Sequence, residues 1–179
     1  HLALSETPAR LWSARIPGTS GRTRLAAAPV VANGTLYVMD TEGAVHALDA
    51  ATGARRWQLS TVKGEENRRA AFGGGVSVDG ARVYATNGLG DVVAIDAAAG
   101  SEVWRKKPGG PLRGAPSVAD GNLYVVSQDN QLFALSAADG NTIWTQSGTL
   151  ESQGVFGVAA PAVAQGTVVA GFSSGELNA

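Results

Sequence analysis

This chain of 179 residues has no cysteine, two histidines and one methionine. Without a thiol there is no disulfide, no thiolate metal site and no cysteine nucleophile. Charge of neither sign dominates, with 14 Lys and Arg against 15 Asp and Glu for a net −1. Nothing in that balance makes an electrostatic footprint for nucleic acid or an anionic membrane. No apolar run approaches the roughly 18 residues that a membrane-spanning helix needs. No signal-peptide pattern is present in the chain. Aromatic residues are only 6% of the sequence, yet four of them are tryptophan. Their positions carry the most information.

Trp12, Trp57, Trp104 and Trp144 recur at intervals of 45, 47 and 40 residues. The phrases ALDAATGARRW, AIDAAAGSEVW and ALSAADGNTIW end at the last three, and ETPARLW keeps the end of the pattern before Trp12. Tyr37, Tyr84 and Tyr124 move in step at 47 and 40, and Val169 takes the tyrosine's place 45 residues later. A fixed period of this length marks a repeat array. The 24 glycines fall at fixed repeat positions, so they mark turns rather than disorder.

Within a unit, Gly43, Gly90, Asn130 and Gly175 stand six residues after the tyrosine position. A turn with positive φ explains this column, because glycine adopts it freely and asparagine is the best substitute. The flanking runs, such as LYVMD and AVHALD, alternate as hairpin strands do. Asp49, Asp96 and Ser136 then precede a tight turn ending in Gly53, Gly100 and Gly140, and the Trp strand follows. Each unit opens on a small apolar strand: AAPVVA (27–32), GGVSVD (74–79), GAPSVA (114–119) and AAPAVA (159–164). Small residues suit a strand crowded near a central axis.

A four-stranded meander repeated at this period predicts an all-β propeller of four-stranded antiparallel blades. The expected blades span 27–60, 73–106 and 113–147, with a partial blade at 158–179 and an outer strand at 9–16, so that 1–179 is one partial propeller. No such blade buries both faces alone, so neighbours must stack. Trp12, Trp57, Trp104 and Trp144 are the expected docking groups, each packed between adjacent blades. Because the chain opens and closes within a repeat, about half of a seven- or eight-bladed parent is expected, and a closed four-bladed ring is the competitor.

The unit AxDxxTGxxxW resembles the tryptophan-docking repeat of the eight-bladed pyrroloquinoline-quinone-type (PQQ-like) propellers. Within that superfamily, AFGGGVSVDGARVYATNGLGDVVAIDAAAG (71–100), PLRGAPSVADGNLYVVSQDNQLFALSAADG (111–140) and AAPAVAQGTVVAGFSSGEL (159–177) are similar to the BamB family of outer-membrane assembly lipoproteins in its alphaproteobacterial form. The resemblance implies a non-enzymatic scaffold of the BAM complex on the periplasmic face of the outer membrane, with no cofactor. It also implies a POTRA domain of BamA as the partner. In that family a connector with a Leu-Arg-Gly element makes the contact. By blade order the matching positions are Val155, Phe156 and Gly157, while the letters themselves occur one blade earlier at Leu112, Arg113 and Gly114.

Other candidate chemistry fares less well. PQQ dehydrogenases resemble the chain at repeat level but carry a vicinal Cys pair and a carboxylate–amide Ca²⁺ site, and the Cys pair is missing here. His46 is equivalent to Val93 and Phe133, which makes it a packing position rather than a ligand. Ser77 and Ser117 have no His–Asp constellation around them. The charged insertion at 63–69 is a second candidate for partner contact, since insertions in repeat proteins gather on one face. A PQQ-like propeller of another kind, a sensor or an oxidoreductase remnant, is the alternative reading. A homodimer is a further expectation, with the Trp12 strand of one copy completing the 159–179 blade of the other.

Overall fold

The computed structural model describes residues 9–16, 27–64, 68–149 and 159–179. Among them the chain is all-β apart from a single 3-10 turn at Arg68–Ala71. Three four-stranded antiparallel sheets follow one another as meanders. The first is β1 (Val30–Ala32), β2 (Thr35–Met39), β3 (Ala44–Asp49) and β4 (Arg55–Ser60). The second is β5 (Val76–Asp79), β6 (Arg82–Thr86), β7 (Val92–Asp96) and β8 (Glu102–Lys106). The third is β9 (Leu112–Ala119), β10 (Asn122–Ser127), β11 (Gln131–Ser136) and β12 (Thr142–Ser147). A three-stranded sheet closes the series: β13 (Ala162–Ala164), β14 (Thr167–Gly171) and β15 (Leu177–Asn178). These are successive propeller blades.

Alternation along each strand sends one set of side chains to the preceding blade and one to the next. Tyr37, Val45 and Ala47 thus meet Val76, Val83, Val93 and Ile95 between the first two blades. Tyr84, Val92 and Ala94 meet Leu123, Phe133 and Leu135 between the second and third. Tyr124, Val126 and Ala134 meet Ala170 and Phe172 at the last seam. Ile95, Leu123 and Leu135 are fully buried, and each contributes about 1.5–3 kcal/mol of transfer free energy. The seams, not the individual sheets, are the cores of this protein.

The inner strands are crowded, as their small residues require. Gly74 and Gly114 form a parallel bridge between blades, and the Gly114 N–H donates to the Gly73 carbonyl at 2.7 Å. A Cβ on Gly74 would stand 1.8 Å from the Thr86 carbonyl oxygen. The Gly73–Gly75 run is therefore a packing requirement of the axis. One expectation fails: residues 9–16 form no strand. They pair with no sheet strand among the described residues, although Trp12 is docked.

Candidate functional site

Docking of the indoles is the most regular feature of the structure. The Trp12 indole N–H donates to the Ala50 carbonyl at 3.0 Å, Trp57 to Ala97 at 2.9 Å and Trp104 to Ala137 at 3.1 Å. Each acceptor belongs to the next blade, three residues before the glycine of its turn. That glycine has a positive φ, and it also makes room. A Cβ on Gly53, Gly100 or Gly140 would come within 2.5–2.6 Å of the indole docked on it. A β-bulge recurs beside Trp57, Trp104 and Trp144, at Ala47/Leu48, Ala94/Ile95 and Ala134/Leu135. It aims the ring, and a tyrosine from the same blade backs it at 5.8–6.0 Å between centroids.

Trp144 departs from the expectation. It is 41% exposed, and among the described residues no carbonyl receives its indole N–H. Its ring instead lines an open cleft of about 580 Å³ with Leu132, Gln146, Val168 and Leu177.

An antiparallel meander places the second hairpin turn of every blade at the same end as the connector to the next blade. This connector face carries most of the buried polar chemistry. Asp40, Asn87 and Ser127, each three residues after the tyrosine, cap the hairpins. Asp40 Oδ1 accepts the Glu42 and Ala44 N–H groups, Asn87 Oδ1 accepts those of Leu89 and Asp91, and Ser127 Oγ accepts that of Gln131. The column was visible in the sequence, since Asp, Asn and Ser are the residues that close such turns. His46 also differs from the packing position expected: its Nε2 lies 2.8 Å from Asp40 Oδ2 and its side chain is 1% exposed. It completes a buried polar pair where the other blades place Val93 and Phe133.

Between the first two blades the connector is tied down by charge. Arg105 donates to the Thr61 carbonyl and pairs with Asp91 at 3.0 Å and Glu102 at 2.9 Å, while Lys63 reaches Glu102 at 2.8 Å. Asn87 adds a bond to Thr61 Oγ1 at 2.9 Å. Burial pushes the Glu102 carboxyl up, but hydrogen bonds from Arg105 and Lys63 outweigh it and leave the group below its ordinary range. Burial likewise works against the Arg105 charge, and its bonds to Glu102 and Asp91 overcome that and raise it. Charges this fully engaged are structural.

The third seam corrects the expectation for Leu112 and Arg113 as partner-contact residues. Leu112 is fully buried and Arg113 is 6% exposed. The connector ends at Pro111, and β9 begins at once, pairing Leu112 with Ser127 and Arg113 with Val126 across a bulge. The Arg113 guanidinium donates to Asn130 Oδ1 and the Gly171 carbonyl, both at 3.2 Å, and burial holds its pKa below the ordinary value. Asn130 Oδ1 also accepts from Ser173 N–H and Oγ, and its Nδ2 donates to the Thr149 carbonyl. Val155, Phe156 and Gly157 lie outside the described residues, as do residues 65–67 of the 63–69 insertion. Ser117 Oγ donates across its seam to the Pro161 carbonyl. Among the described residues no group of three or more His, Cys, Asp or Glu side chains is placed to hold a metal ion.

Sheets clamped in series by tryptophans, each bonded into the following unit, define a tryptophan-docked β-propeller array of the PQQ-like kind. A family model described as "Outer membrane protein assembly factor BamB" matches residues 2–71 and 41–179, and the chain belongs to that family. The outer membrane protein assembly factor BamB of Moranella endobia (strain PCIT) is 32% identical over 178 residues, which cover 96% of this chain and 46% of that relative. The chain thus spans less than half the length of the relative. The crystal structure of BamB from Moraxella catarrhalis superposes on 80% of this chain and 45% of its own, with a TM-score of 0.64 and 22% identity. A quinohemoprotein alcohol dehydrogenase of Comamonas testosteroni is 33% identical over 127 residues, covering 64% of this chain and 17% of that enzyme.

Proposed function

We propose that this chain is part of a non-enzymatic accessory scaffold of the outer-membrane β-barrel assembly machinery, on the periplasmic side, and that its connector face binds a POTRA domain of BamA. Family membership over residues 2–179 is the observation that carries this reading. The geometry supports it in a second way. Among the described residues, titratable side chains of the connector face are engaged with one another: Asp91, Glu102 and Arg105 in a network that ties the second blade to the preceding connector, His46 and Asp40 in a closed pair within the first blade. A surface so built presents rigid turns and connectors to a partner.

The contact is assigned to Val155, Phe156 and Gly157, in the connector between β12 and β13. An apolar pair in a connector is a usual anchor of such an interface. The test is capture of purified BamA periplasmic domains by this chain. Val155→Asp with Phe156→Asp is expected to abolish capture while thermal unfolding stays unchanged. Normal capture by the double variant would move the contact elsewhere, with the 63–69 insertion next in line.

Similarity to the quinohemoprotein alcohol dehydrogenase supports a second reading, a quinone-binding propeller. That reading requires a higher melting temperature on adding pyrroloquinoline quinone with Ca²⁺. The scaffold reading requires none.

A further inference from the structure

The first two seams differ on the face opposite the connectors. At the second seam the Tyr84 hydroxyl donates to the Ala137 carbonyl at 3.2 Å, beside the Trp104 indole that uses the same acceptor. At the first seam the equivalent carbonyl, Ala97, takes the Trp57 indole, and among the described residues no group bonds the Tyr37 hydroxyl. Tyr37 is nevertheless only 3% exposed. Its ring lies 5.8 Å from that of Trp57, and it borders a cleft of about 390 Å³ between the two blades. Burying a phenol without a partner costs free energy, which is why such groups are few.

The repeat shows why the cleft lies at this seam. Thr35 stands where the second blade has the longer Arg82, which reaches Asp96 at 3.0 Å. The first blade brings its arginine from the outer strand instead. The bulge that pairs Ala47 with Trp57 and Leu48 with Arg55 leaves Arg56 over, a position held by Val103 and Ile143 in the later blades. The Arg56 guanidinium donates to Thr35 Oγ1 at 2.6 Å and to Asp49 Oδ2 at 2.8 Å at the rim of the cleft. Facing it are Ala81, Ala97 and Ala98, on two turns of the second blade, and the Asn33 side chain stands at the mouth.

The charge of Arg56 is matched by Asp49, so the cleft selects neither an anion nor a cation. Tyr37 and Asn33 each offer a donor and an acceptor. The alanines offer an apolar wall. A ring that carries hydroxyls meets both demands, since each hydroxyl donates and accepts while the C–H face packs on methyl groups. We propose that this cleft binds a neutral polyol the size of a sugar ring, with the Tyr37 hydroxyl as its buried anchor. The volume lies in the range of small-molecule sites. Because the cleft is on the face opposite the connectors, the proposal stands apart from the partner contact assigned above.

Titration of the 179-residue chain with glucose and with N-acetylglucosamine, followed by backbone amide NMR, tests it. Saturable shifts are expected at Ala81, Ala97 and Ala98, with a dissociation constant on the order of millimolar, and none at Gly121, Ala137 and Ala138 of the second seam. Tyr37→Phe should weaken binding about three- to tenfold and leave the melting temperature unchanged. Tyr84→Phe should lower the melting temperature, because that hydroxyl bonds to Ala137. Thr35→Arg, which installs the residue of the second blade, should fill the cleft and abolish the shifts. No saturable shift with either sugar would overturn the proposal. Equal shifts at both seams, or undiminished binding by both Tyr37→Phe and Thr35→Arg, would do the same. Acetate moving the same amides as strongly would show an anion site and overturn the choice of a neutral ligand.

Discussion

Arg113 and Asn130 meet where β9 lies beside the hairpin turn of its own blade, with the guanidinium donating to the amide oxygen at 3.2 Å. Asn130 holds the left-handed turn that glycine holds in the other blades, at φ +60°. Its side chain does what glycine cannot, joining Arg113, Ser173 and Thr149 at the last seam.

Asn130→Gly should therefore keep the turn and lose the seam. The buried Arg113 would retain only the Gly171 carbonyl of its two acceptors, and a loss of about 1–3 kcal/mol is expected. Urea unfolding measures it. A cost under half that figure would show the hub to be incidental.

Docking predicts a contrast between tryptophans. Trp104→Ala should cost about 3 kcal/mol, because the ring packs at a seam and bonds to Ala137. Trp144→Ala should cost about 1 kcal/mol or less, since that ring is 41% exposed. Equal losses would contradict the docking geometry.

Two glycines separate steric fit from backbone strain. Gly121 has φ +75° with nothing near a would-be Cβ, whereas a Cβ on Gly100 would stand 2.5 Å from Trp57. Gly121→Ala should cost about 1 kcal/mol from strain alone. Gly100→Ala should cost clearly more, and much of the excess should vanish in a Trp57→Ala background, a coupling that a double-mutant cycle reads directly.

The turn before each tryptophan makes stability depend on acid. Bonds from Arg56 and then Thr52 lower the Asp49 carboxyl from 3.8 to about 2. Backbone N–H groups of Ala99 and Ala98 lower Asp96, and the Asn141 N–H lowers Asp139. A depressed folded-state pKa gives stability that is present above the unfolded value and lost as pH falls through the folded one. Denaturation midpoints should hold from pH 7 to 5 and decline from about pH 4 towards 2. Asp49→Asn should flatten part of that decline, and an unchanged slope would remove Asp49 from the account.

His46→Val supplies the residue that the second blade uses, but strands Asp40 Oδ2 in a buried site. A loss of about 1–3 kcal/mol is expected. Adding Asp40→Ser, the cap used by the third blade, should recover part of it in the same unfolding assay.

The blades were legible because their signals are local. Tyrosine, turn glycine and tryptophan fall at fixed distances, and each type has a steric or packing reason to be there. Arg113 was not legible in the same way. Leu-Arg-Gly after Pro111 has the composition of an exposed connector, and only the pairing of β9 with β10 shows it to be strand. Asn130 was half legible: its backbone role followed from the glycine column, but its bonds to Ser173 span 43 residues and belong to the assembled seam. His46 was misjudged by comparing it with Val93 and Phe133 down the repeat. Its partner Asp40 lies six residues away, across its own hairpin.

The Trp57 and Trp104 indoles are each carried by one sheet and received by the turn of the following sheet. Every repeat therefore brings both halves of the joint, a ring on one side and an open glycine on the other. Unequal recombination that copies or deletes a whole unit leaves a matching junction behind, with no second mutation needed to mend it. Arrays built on this rule can change length over evolutionary time while every internal boundary stays fitted, and sequence drift between blades is tolerated so long as the ring and its glycine are inherited together.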